Sequence, residues 1–376
     1  MARRWPTSEL LAGATFVAIA FLAEPAAAQT WNGTVNADWT NGANWSGGAP
    51  PGGAIGVVIT SSNPVILGFS GPASSVTNGI LLNGTSSSLT ITNGSTLDTA
   101  GVAGVGSGTG HTGTVTVTGA GSRWTVGGVL NVGASGTGTL NILDGALVRA
   151  LGGLRLSGSS TGTLNVSGGG ILETTGLTRG ASSAPVTFDN ATLRALASNP
   201  SFTSGFTVDD FTIGAGGLTV DTNGFAISAI GFGGVGDLSV MNTGANPGTL
   251  TLTGASTYAG DTRIGTNSTL VLAGDHIGTG KLLEIHTALG DDNSLTGRLV
   301  VNGNTSGSTN LKVTNVGGIG GVTATGIRII HVDGTSGGTF DLLGDIVHNG
   351  EQAVIGGAYL YGLYQDVGDG DWYLRN

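Results

Sequence analysis

The chain contains no cysteine, so no disulfide bond contributes to its stability. Charged residues are also scarce, at 10% of 376 residues, with 13 basic against 23 acidic side chains and a net charge of −10. Lys281 and Lys312 are the only lysines. Nucleic acids and anionic membranes are bound by basic surfaces, which this composition does not supply. We therefore expect no nucleic-acid partner.

Long hydrophobic runs are missing as well, and no stretch of eighteen apolar residues predicts a helical transmembrane span. The apolar stretch Leu10–Leu22 is thirteen residues long, follows Arg3 and Arg4, and precedes three alanines that end at Ala28. A basic start, a short apolar segment and small residues are typical of a secretory signal peptide. We predict cleavage between Ala28 and Gln29 and export of the mature chain.

Glycine, in contrast, is abundant, with 72 residues. Each glycine inside a helix costs about 1 kcal/mol relative to alanine, so an ordinary helical domain is excluded. Disorder is disfavoured, because 39% of the residues are apolar and the mean hydropathy is +0.24. The chain is therefore expected to fold, with its glycines in regularly spaced turns.

A repeat of about 25 residues accounts for these turns. Four units begin at Ser86, Thr112, Thr137 and Thr161, which are separated by 112−86 = 26, 137−112 = 25 and 161−137 = 24 residues. Each unit starts with apolar residues that alternate with Thr or Asn, continues with a second apolar element, and closes with a short apolar segment between glycines. Alternation of this kind predicts three short strands per unit.

One such unit has almost no core, so it must stack on its neighbours. We predict an all-β fold, a right-handed parallel β-helix of about fourteen coils, with coils ~4.8 Å apart. A β-propeller or a β-sandwich is the competing architecture, but its units would be longer or its strands less alike. Aromatic residues predict a cap at each end of the solenoid. The capping residues are Trp31, Trp39 and Trp45 at one end, and Tyr359, Tyr361, Tyr364, Trp372 and Tyr373 at the other.

Several of these segments resemble the passenger region of bacterial autotransporters, the type V secretion family. Residues Gly248 to Gly274 are similar to the passenger-associated transport repeat, with departures at Ser256, Asp261 and Arg263. The units from Ser86 to Gly180 resemble autotransporter repeats. Trp31 to Trp45 and Asp369 to Arg375 are similar to the usual beginning and end of such passengers.

The resemblance implies secretion through the periplasm of a Gram-negative cell and display at the cell surface or beyond it. In that family a C-terminal translocator barrel carries the passenger across the outer membrane, and we expect this barrel not to be encoded in the chain up to Asn376. The predicted division is a signal peptide (1–28), an N-terminal cap with first coils (29–85), β-helix repeats (86–247), a passenger-associated transport repeat (248–275), and C-terminal coils with a cap (276–376).

A polysaccharide lyase or glycoside hydrolase built on a parallel β-helix needs paired carboxylates, or carboxylate ligands for Ca²⁺ beside a basic residue, on one face. The adjacent pairs Asp209–Asp210 and Asp291–Asp292 would point to opposite faces if they lay in strands. Asp98, Asp144 and Glu173 occur in the repeats, and Asp98 and Glu173 are separated by three units. We therefore predict no catalytic residue and no cofactor.

Metal binding has two weak indications. Gly233 to Asp237 is one residue short of a calcium-binding repeat and occurs once, whereas that mechanism needs a stacked series. Asp366, Asp369 and Asp371 place three carboxylates in a glycine-rich loop, for which an ordinary acidic turn is the favoured interpretation. The five histidines show no metal-ligand spacing.

These observations predict an exported, non-catalytic β-helical passenger that takes part in adhesion or another surface interaction. Its ligand would be a glycan or a protein on a host or other surface. Two alternatives stay open at this point: an enzyme that acts on polysaccharides, and a structural spacer that serves only folding-coupled secretion.

Overall fold

The computed structural model describes residues 28–53 and 55–376. Most of the predicted signal peptide therefore lies outside the described residues. The described chain is almost entirely β-strand, with two three-residue 3-10 helices at Gly42–Asn44 and Val208–Asp210. Within this part of the chain, neither helix has the length and apolar character needed to cross a membrane.

The strands are numbered in chain order. Those that precede and form the regular repeats are β1 Gln29–Thr30, β2 Gly56–Ile59, β3 Val65–Leu67, β4 Ser74–Thr77, β5 Gly79–Leu82, β6 Ser87–Ile91, β7 Thr96–Thr99, β8 Ala103–Val105, β9 Thr112–Thr118, β10 Arg123–Val126, β11 Leu130–Val132, β12 Thr137–Leu143, β13 Leu147–Ala150, β14 Leu154–Leu156, β15 Gly162–Ser167, β16 Ile171–Thr174 and β17 Leu177–Arg179.

The later strands are less regular in length. They are β18 Val186–Asp189, β19 Ala191–Ala195, β20 Thr203–Ser204, β21 Phe211–Ile213, β22 Leu218–Asp221, β23 Ala226–Ala229, β24 Gly233–Gly234, β25 Leu238–Met241, β26 Gly248–Leu252, β27 Thr262–Ile264, β28 Ser268–Leu272, β29 His276–Thr287, β30 Arg298–Val301, β31 Thr305–Asn315, β32 Ile327–Val332, β33 Thr339–Leu342, β34 Ile346–His348, β35 Glu351–Gly356, β36 Tyr359–Gln365 and β37 Trp372–Arg375.

Successive coils contribute these strands to four sheets. The first sheet has the order β1-β2-β5-β8-β11-β14-β17-β20, and the second runs β3-β6-β9-β12-β15-β18-β21-β24. The third sheet contains twelve strands from β4 to β33, and the fourth contains β23-β26-β28-β30-β32-β37-β36-β35-β34. The predicted all-β parallel solenoid is confirmed. It has about 12 turns rather than about fourteen, because β34 to β37 pair antiparallel instead of forming coils.

The sequence repeat coincides with the register of the stack. Thr112 of β9 pairs with Thr137 of β12, and Gly138 pairs with Gly162 of β15. Ser87 of β6 pairs with Gly113. The three predicted offsets of 26, 25 and 24 residues are therefore the register differences between neighbouring coils.

The core follows from the alternation within each strand. Val115, Leu140 and Leu164 occupy equivalent inward positions in β9, β12 and β15, and all three are buried. Trp124 of β10 is also fully buried, and its Nε1 donates a hydrogen bond to the Thr99 Oγ1, 3.1 Å away in the preceding coil. Stacked apolar columns of this kind remove the side chains of every coil from water, which stabilises the stack.

One corner of the coil shows why glycine recurs. Gly106 and Gly133 follow equivalent strands of the first sheet and have φ angles of +68° and +77°. Residues with a side chain rarely adopt this left-handed conformation. In the next coil the same corner is occupied by Ser157, with φ +60°, and its buried Oγ has no hydrogen-bond partner among the described residues.

Both ends of the solenoid are covered by aromatic residues. The rings of Trp31 and Trp39 each pack edge-on against Trp45, with centroid distances of 5.0 and 4.8 Å. At the other end, β37 pairs antiparallel with β32 and with β36, and Tyr361 is fully buried. Aromatic residues thus lie at both ends of the stack, where the sequence places them.

Candidate interaction surface

The outward face of the second sheet carries an uncharged row of side chains, called here the polar ladder and formed by Thr116, Asn141 and Asn165. The Asn141 Nδ2 donates to the Thr116 Oγ1 at 3.2 Å, and the Asn165 Nδ2 donates to the Asn141 Oδ1 at 2.9 Å. Because the three positions are in register, each amide reaches the coil before it. The ladder stabilises the stack while its remaining polar atoms face solvent.

The outward face of the third sheet carries charge instead. The ionic ladder consists of Arg149, Glu173, Arg194 and Asp221, at one register position in four successive coils. Glu173 lies between two arginines, 2.6 Å from the Arg149 Nε and 2.8 Å from the Arg194 Nη1. The Arg194 Nε also reaches the Asp221 Oδ2 at 2.7 Å. Each carboxylate is therefore neutralised by the guanidinium of an adjacent coil.

In this ladder, burial and hydrogen bonding shift the pKa of Asp221 in opposite directions. Burial of Asp221 favours a raised pKa, but hydrogen bonds from Thr243 and Arg194 outweigh it, and the pKa is lowered. Asp98 lies in the same row and forms an ion pair with Arg123 at 3.5 Å. Asp98 and Glu173 are thus partnered with arginines, and Asp144 accepts from the Thr118 Oγ1 at 2.9 Å, so these carboxylates are not gathered with one another. The sequence signal for this row is visible only once the register is known, because Arg149, Glu173 and Arg194 then occupy paired positions in successive coils.

A second ionic group lies further along the third sheet, around Glu284. Its Oε2 accepts from the Arg263 Nε at 2.7 Å, and its Oε1 accepts from the Thr314 Oγ1 at 2.6 Å. Burial acts to raise the pKa of Glu284. The hydrogen bonds from Thr314 and Arg263, together with the positive charges of Arg263 and Lys312, prevail and lower the pKa to about 2. This side chain is therefore ionised over the whole physiological range.

A third group, called here the clasp, joins β37 to the end of the solenoid and consists of Arg328, His331, Asp333 and Asp371. Asp371 is 1% exposed, and its Oδ2 lies 3.1 Å from the Arg328 Nη1 and 2.8 Å from the His331 Nδ1. Its Oδ1 accepts from the backbone N–H of Val332 at 2.9 Å. His331 extends the group through its Nε2, 3.0 Å from the Asp333 Oδ1.

The other two carboxylates of the predicted acidic loop have separate partners. Asp366 accepts from the Arg375 Nη2 at 2.7 Å, and this hydrogen bond is the main reason that the pKa of Asp366 is lowered. Asp369 accepts from the Tyr373 hydroxyl at 2.7 Å. Burial and this bond raise the pKa of Tyr373 to about 12. The three aspartates therefore tie the terminal strand to its surroundings.

The two adjacent aspartate pairs lie outside the strands. Asp210 belongs to the second 3-10 helix, and its Oδ2 is 2.7 Å from the Arg179 Nη1. Asp292 accepts hydrogen bonds from the backbone N–H groups of Ala324, Thr325 and Gly326. Those bonds from Thr325 and Gly326 are the main cause of its lowered pKa. Each of these two carboxylates holds a loop in place.

The histidines are dispersed along the described chain. His111 contacts Asn83, and His276 contacts Thr309 at 2.9 Å while its ring stacks on Phe340. Burial lowers the pKa of His276. Asp237, from the glycine-rich segment, accepts from the backbone N–H of Asp261. Within residues 28–53 and 55–376, no three acidic or histidine side chains are grouped so that they could hold a metal ion.

The predicted cleavage site lies at the beginning of the described residues. Gln29 is the first residue of β1 and pairs with Val57 of β2, and Ala28 is exposed. The cleavage itself and the predicted domain boundaries stay predictions.

The outward face of the first sheet contains a groove that the sequence did not reveal. It has a volume of about 520 Å³ and crosses the coils of β8, β11, β14 and β17. Its lining includes Val102 and Val129, called here the valine wall, together with Gly152, Gly153 and Gly176. The sequence signal was a change from valine to glycine at one register position, seen at Val102, Val129, Gly153 and Gly176.

Comparison with known proteins gives a family match for the C-terminal third of the chain. Residues 240–363 match the family model described as Autochaperone Domain Type 1. This range contains the Glu284 ionic group and most of the clasp, and it includes the long strands β29 and β31.

Three relatives are similar over about a hundred residues each. The chain is 51% identical over 111 residues to the Adhesin BmaC autotransporter of Brucella suis biovar 1 (strain 1330), which is 28% of this chain and 3% of that protein. It is 39% identical over 110 residues to the probable autotransporter YfaL of Escherichia coli (strain K12), covering 29% and 8%. It is 40% identical over 101 residues to the autotransporter adhesin AIDA-I of Escherichia coli, covering 26% and 7%.

The matches therefore span less than a tenth of the length of each of these relatives. They agree with one another and with the autochaperone match, and the parallel solenoid has the architecture that the resemblance implies. The similarity of this chain to an autotransporter passenger is confirmed.

Proposed function

We propose that the chain is exported and acts at the cell surface as the adhesive passenger of an autotransporter-type protein, binding a surface glycan or protein. About 12 turns, stacked at ~4.8 Å, give a solenoid roughly 60 Å long. A stack of this length presents continuous side-chain rows on several faces, and such a surface suits adhesion better than a single deep site does.

The observation that carries the proposal is the pairing of charge along these rows. The ionic ladder, the Glu284 group and the clasp place their carboxylates beside arginine, lysine or histidine. Glycoside hydrolysis uses two carboxyl groups that flank the scissile bond of one substrate. The pairing supports a non-catalytic role, and the names of the adhesin relatives favour adhesion.

Export can be tested with the full chain produced in a Gram-negative bacterium. We expect the periplasmic or secreted protein to begin at Gln29, as read by mass spectrometry of its N-terminal peptide. Ala28→Arg should block cleavage, because the site requires small residues. The matched control, Thr34→Arg, adds the same charge at an exposed position beyond the site and should be processed normally. Retention of both proteins in the cytoplasm would contradict export.

Adhesion can be tested with beads coated with the purified protein and applied to arrays of glycans and of cell-surface proteins. We expect binding above that of albumin-coated beads, without change to the bound glycan. Release of shortened saccharides from an acidic polysaccharide would instead support the enzyme alternative. Absence of binding together with normal export would support the structural spacer.

A further inference from the structure

We propose that the groove on the first sheet binds a saccharide unit that carries a carboxylate, with Arg155 as the residue that recognises the acid group. This inference rests on the proposed adhesive function and names a ligand class for one face of the solenoid.

The groove arises from a change of residue type along one register row. Val102 and Val129 project outward in two successive coils and are 55% and 37% exposed. Gly153 and Gly176 occupy the same row in the next two coils, as shown by the hydrogen bonds that link neighbouring backbones there. Gly153 leaves half-buried backbone beside the valine wall, whereas Gly176 is buried and the Asn199 Nδ2 occupies the space that a Cβ there would take. The resulting volume of about 520 Å³ lies within the range of roughly 300–1,000 Å³ that is usual for ligand clefts.

Asn199 bounds the groove on another side. Its Nδ2 donates to the Thr175 carbonyl oxygen at 2.8 Å, which fixes the loop before β20 against the coil of β16 and β17. The Asn199 side chain is therefore held at the edge of the groove by a hydrogen bond to the backbone. A preformed site of this kind lowers the entropic cost of binding.

A second outward row supplies the polar groups. Asn131, Arg155 and Thr178 are paired in register on β11, β14 and β17. All three line the groove, and Arg155 and Thr178 are exposed. Together they offer a carboxamide, a guanidinium and a hydroxyl over three neighbouring coils, and these groups can both donate and accept hydrogen bonds.

Arg155 differs from most cations of the described part of the chain in its lack of an acidic partner. Among residues 28–53 and 55–376, it belongs to none of the ion pairs, whereas the neighbouring Arg149 and Arg179 are both paired with acids. An exposed guanidinium presents a planar fork of donors that matches a carboxylate. A carboxylate on the ligand would give Arg155 the kind of ion pair that Arg149 and Arg179 form within the protein.

The net charge of the chain restricts the ligand further. At −10 the molecule repels a dense polyanion, so a ligand with separated acid groups is favoured over one with a charged backbone. A carboxylated sugar presents one acid group, several hydroxyls and an apolar ring face. These match Arg155, the flanking Asn131 and Thr178, and the valine wall, respectively.

A peptide ligand fits this surface less well. The strands β11, β14 and β17 are each paired on both sides, so no free strand edge lies in the groove for an added β-strand. The groove is also shallow and lacks the deep apolar pocket that anchors an aromatic or aliphatic side chain. A carboxylated saccharide is therefore the ligand class whose acid group, hydroxyls and apolar face each find a matching group in the lining.

The inference can be tested by saturation-transfer NMR and calorimetry on the purified protein, with digalacturonic acid as the probe and its methyl ester as the neutral control. We expect the acid to bind and the ester to bind at least tenfold more weakly. Arg155→Gln should weaken binding of the acid by tenfold or more. Thr178→Glu should have a similar effect, because it places a carboxylate beside Arg155.

The matched control is Arg298→Gln, which removes an exposed arginine that also lies outside the observed ion pairs and is located on β30, away from the groove. It should bind the acid as the unmodified protein does. Equal binding by Arg155→Gln and the unmodified protein would overturn the inference. So would binding of hexaglutamate, but not of the saccharide, in an Arg155-dependent manner.

Failure of this inference is distinguishable from failure of the proposed function. Bead adhesion that persists while digalacturonic acid does not bind would overturn the groove as a saccharide site and leave the adhesive function standing. Arg155-dependent binding of the probe without any bead adhesion would support the groove and contradict the adhesive function.

Discussion

The regular coils and the C-terminal clasp stabilise the same solenoid in opposite ways. Between β6 and β17 every strand lies between two parallel neighbours, and contacts such as the Asn165–Asn141 hydrogen bond are repeated from coil to coil. At the clasp, one buried carboxylate, Asp371, gathers a guanidinium, an imidazole and a backbone N–H. The difference is between stability shared over many similar contacts and stability concentrated in one side chain.

The largest expected effect comes from the core of the regular coils. Trp124→Ala should lower the free energy of unfolding by about 3–5 kcal/mol, because it leaves a cavity in a fully buried position and removes the bond to Thr99. Denaturant unfolding followed by far-UV circular dichroism measures the loss. Trp124→Phe keeps much of the volume and should cost only about 1–2 kcal/mol. Equal losses in the two variants would contradict a role for packing at this position.

A smaller loss of stability, confined to the strands that the clasp joins, is expected when Asp371 is substituted. Asp371→Asn should cost about 2–3 kcal/mol, below the usual value for a buried ion pair because Arg328 is 44% exposed. Hydrogen exchange should become faster in β32 and β37, while β9 and β12 keep their protection. The control Asp366→Asn alters a half-buried carboxylate of the same loop whose partner is Arg375 rather than a residue of β32, and it should leave exchange in β32 nearly unchanged. Uniformly faster hydrogen exchange along the whole chain would show that the clasp does not act only on the strands around it.

The third prediction concerns the loss of folding stability at acidic pH. The pKa of Glu284 is about 2 in the folded protein and 4.5 ordinarily. A lowered folded pKa means that the unfolded state binds more protons, so this contribution is complete above about pH 4.5 and is lost as the pH falls towards 2. Glu284→Gln should flatten the pH dependence of unfolding in that window, as measured by thermal denaturation at several pH values. A variant with the same acid dependence as the unmodified protein would refute this assignment.

The smallest expected effect is a gain in stability. Ser157 adopts a φ of +60° at a corner where equivalent coils use Gly106 and Gly133, and its hydroxyl is buried without a partner among the described residues. Ser157→Gly should stabilise the protein by roughly 0.5–1 kcal/mol, because it removes both the side chain that strains a positive φ and the buried hydroxyl that lacks a partner. Ser157→Ala removes only the hydroxyl and should gain less, which differential scanning calorimetry can resolve. A loss of stability in both variants would contradict the strain argument.

The regular coils were predictable from the sequence because their pattern is periodic and local. Alternating residues fixed which side chains point inward, and the spacing of Thr112, Thr137 and Thr161 fixed the register. The caps were predictable as aromatic clusters, but the antiparallel pairing of β37 was not. That pairing joins Ile327 to Leu374, and no short-range pattern encodes a contact across such a distance in the chain.

The groove and the ionic ladder escaped prediction for a related reason. Arg149, Glu173 and Arg194 read as isolated charges until the coils are stacked, and only then do they form one row. The groove at Gly153 and Gly176 is a missing pair of side chains, which composition alone does not distinguish from ordinary turn glycines. Both features belong to the stack rather than to any one repeat.

The direction of β37 also determines how far the solenoid can grow. In the fourth sheet, the place beside β32 that another parallel coil would occupy is filled by β37, running the opposite way. A neighbouring molecule cannot extend this sheet through that edge, because the donors and acceptors of β32 that face it are already engaged. The reversal therefore ends the parallel stacking of coils at β32 in this sheet, and the edge of the sheet moves to β34, which pairs antiparallel with β35.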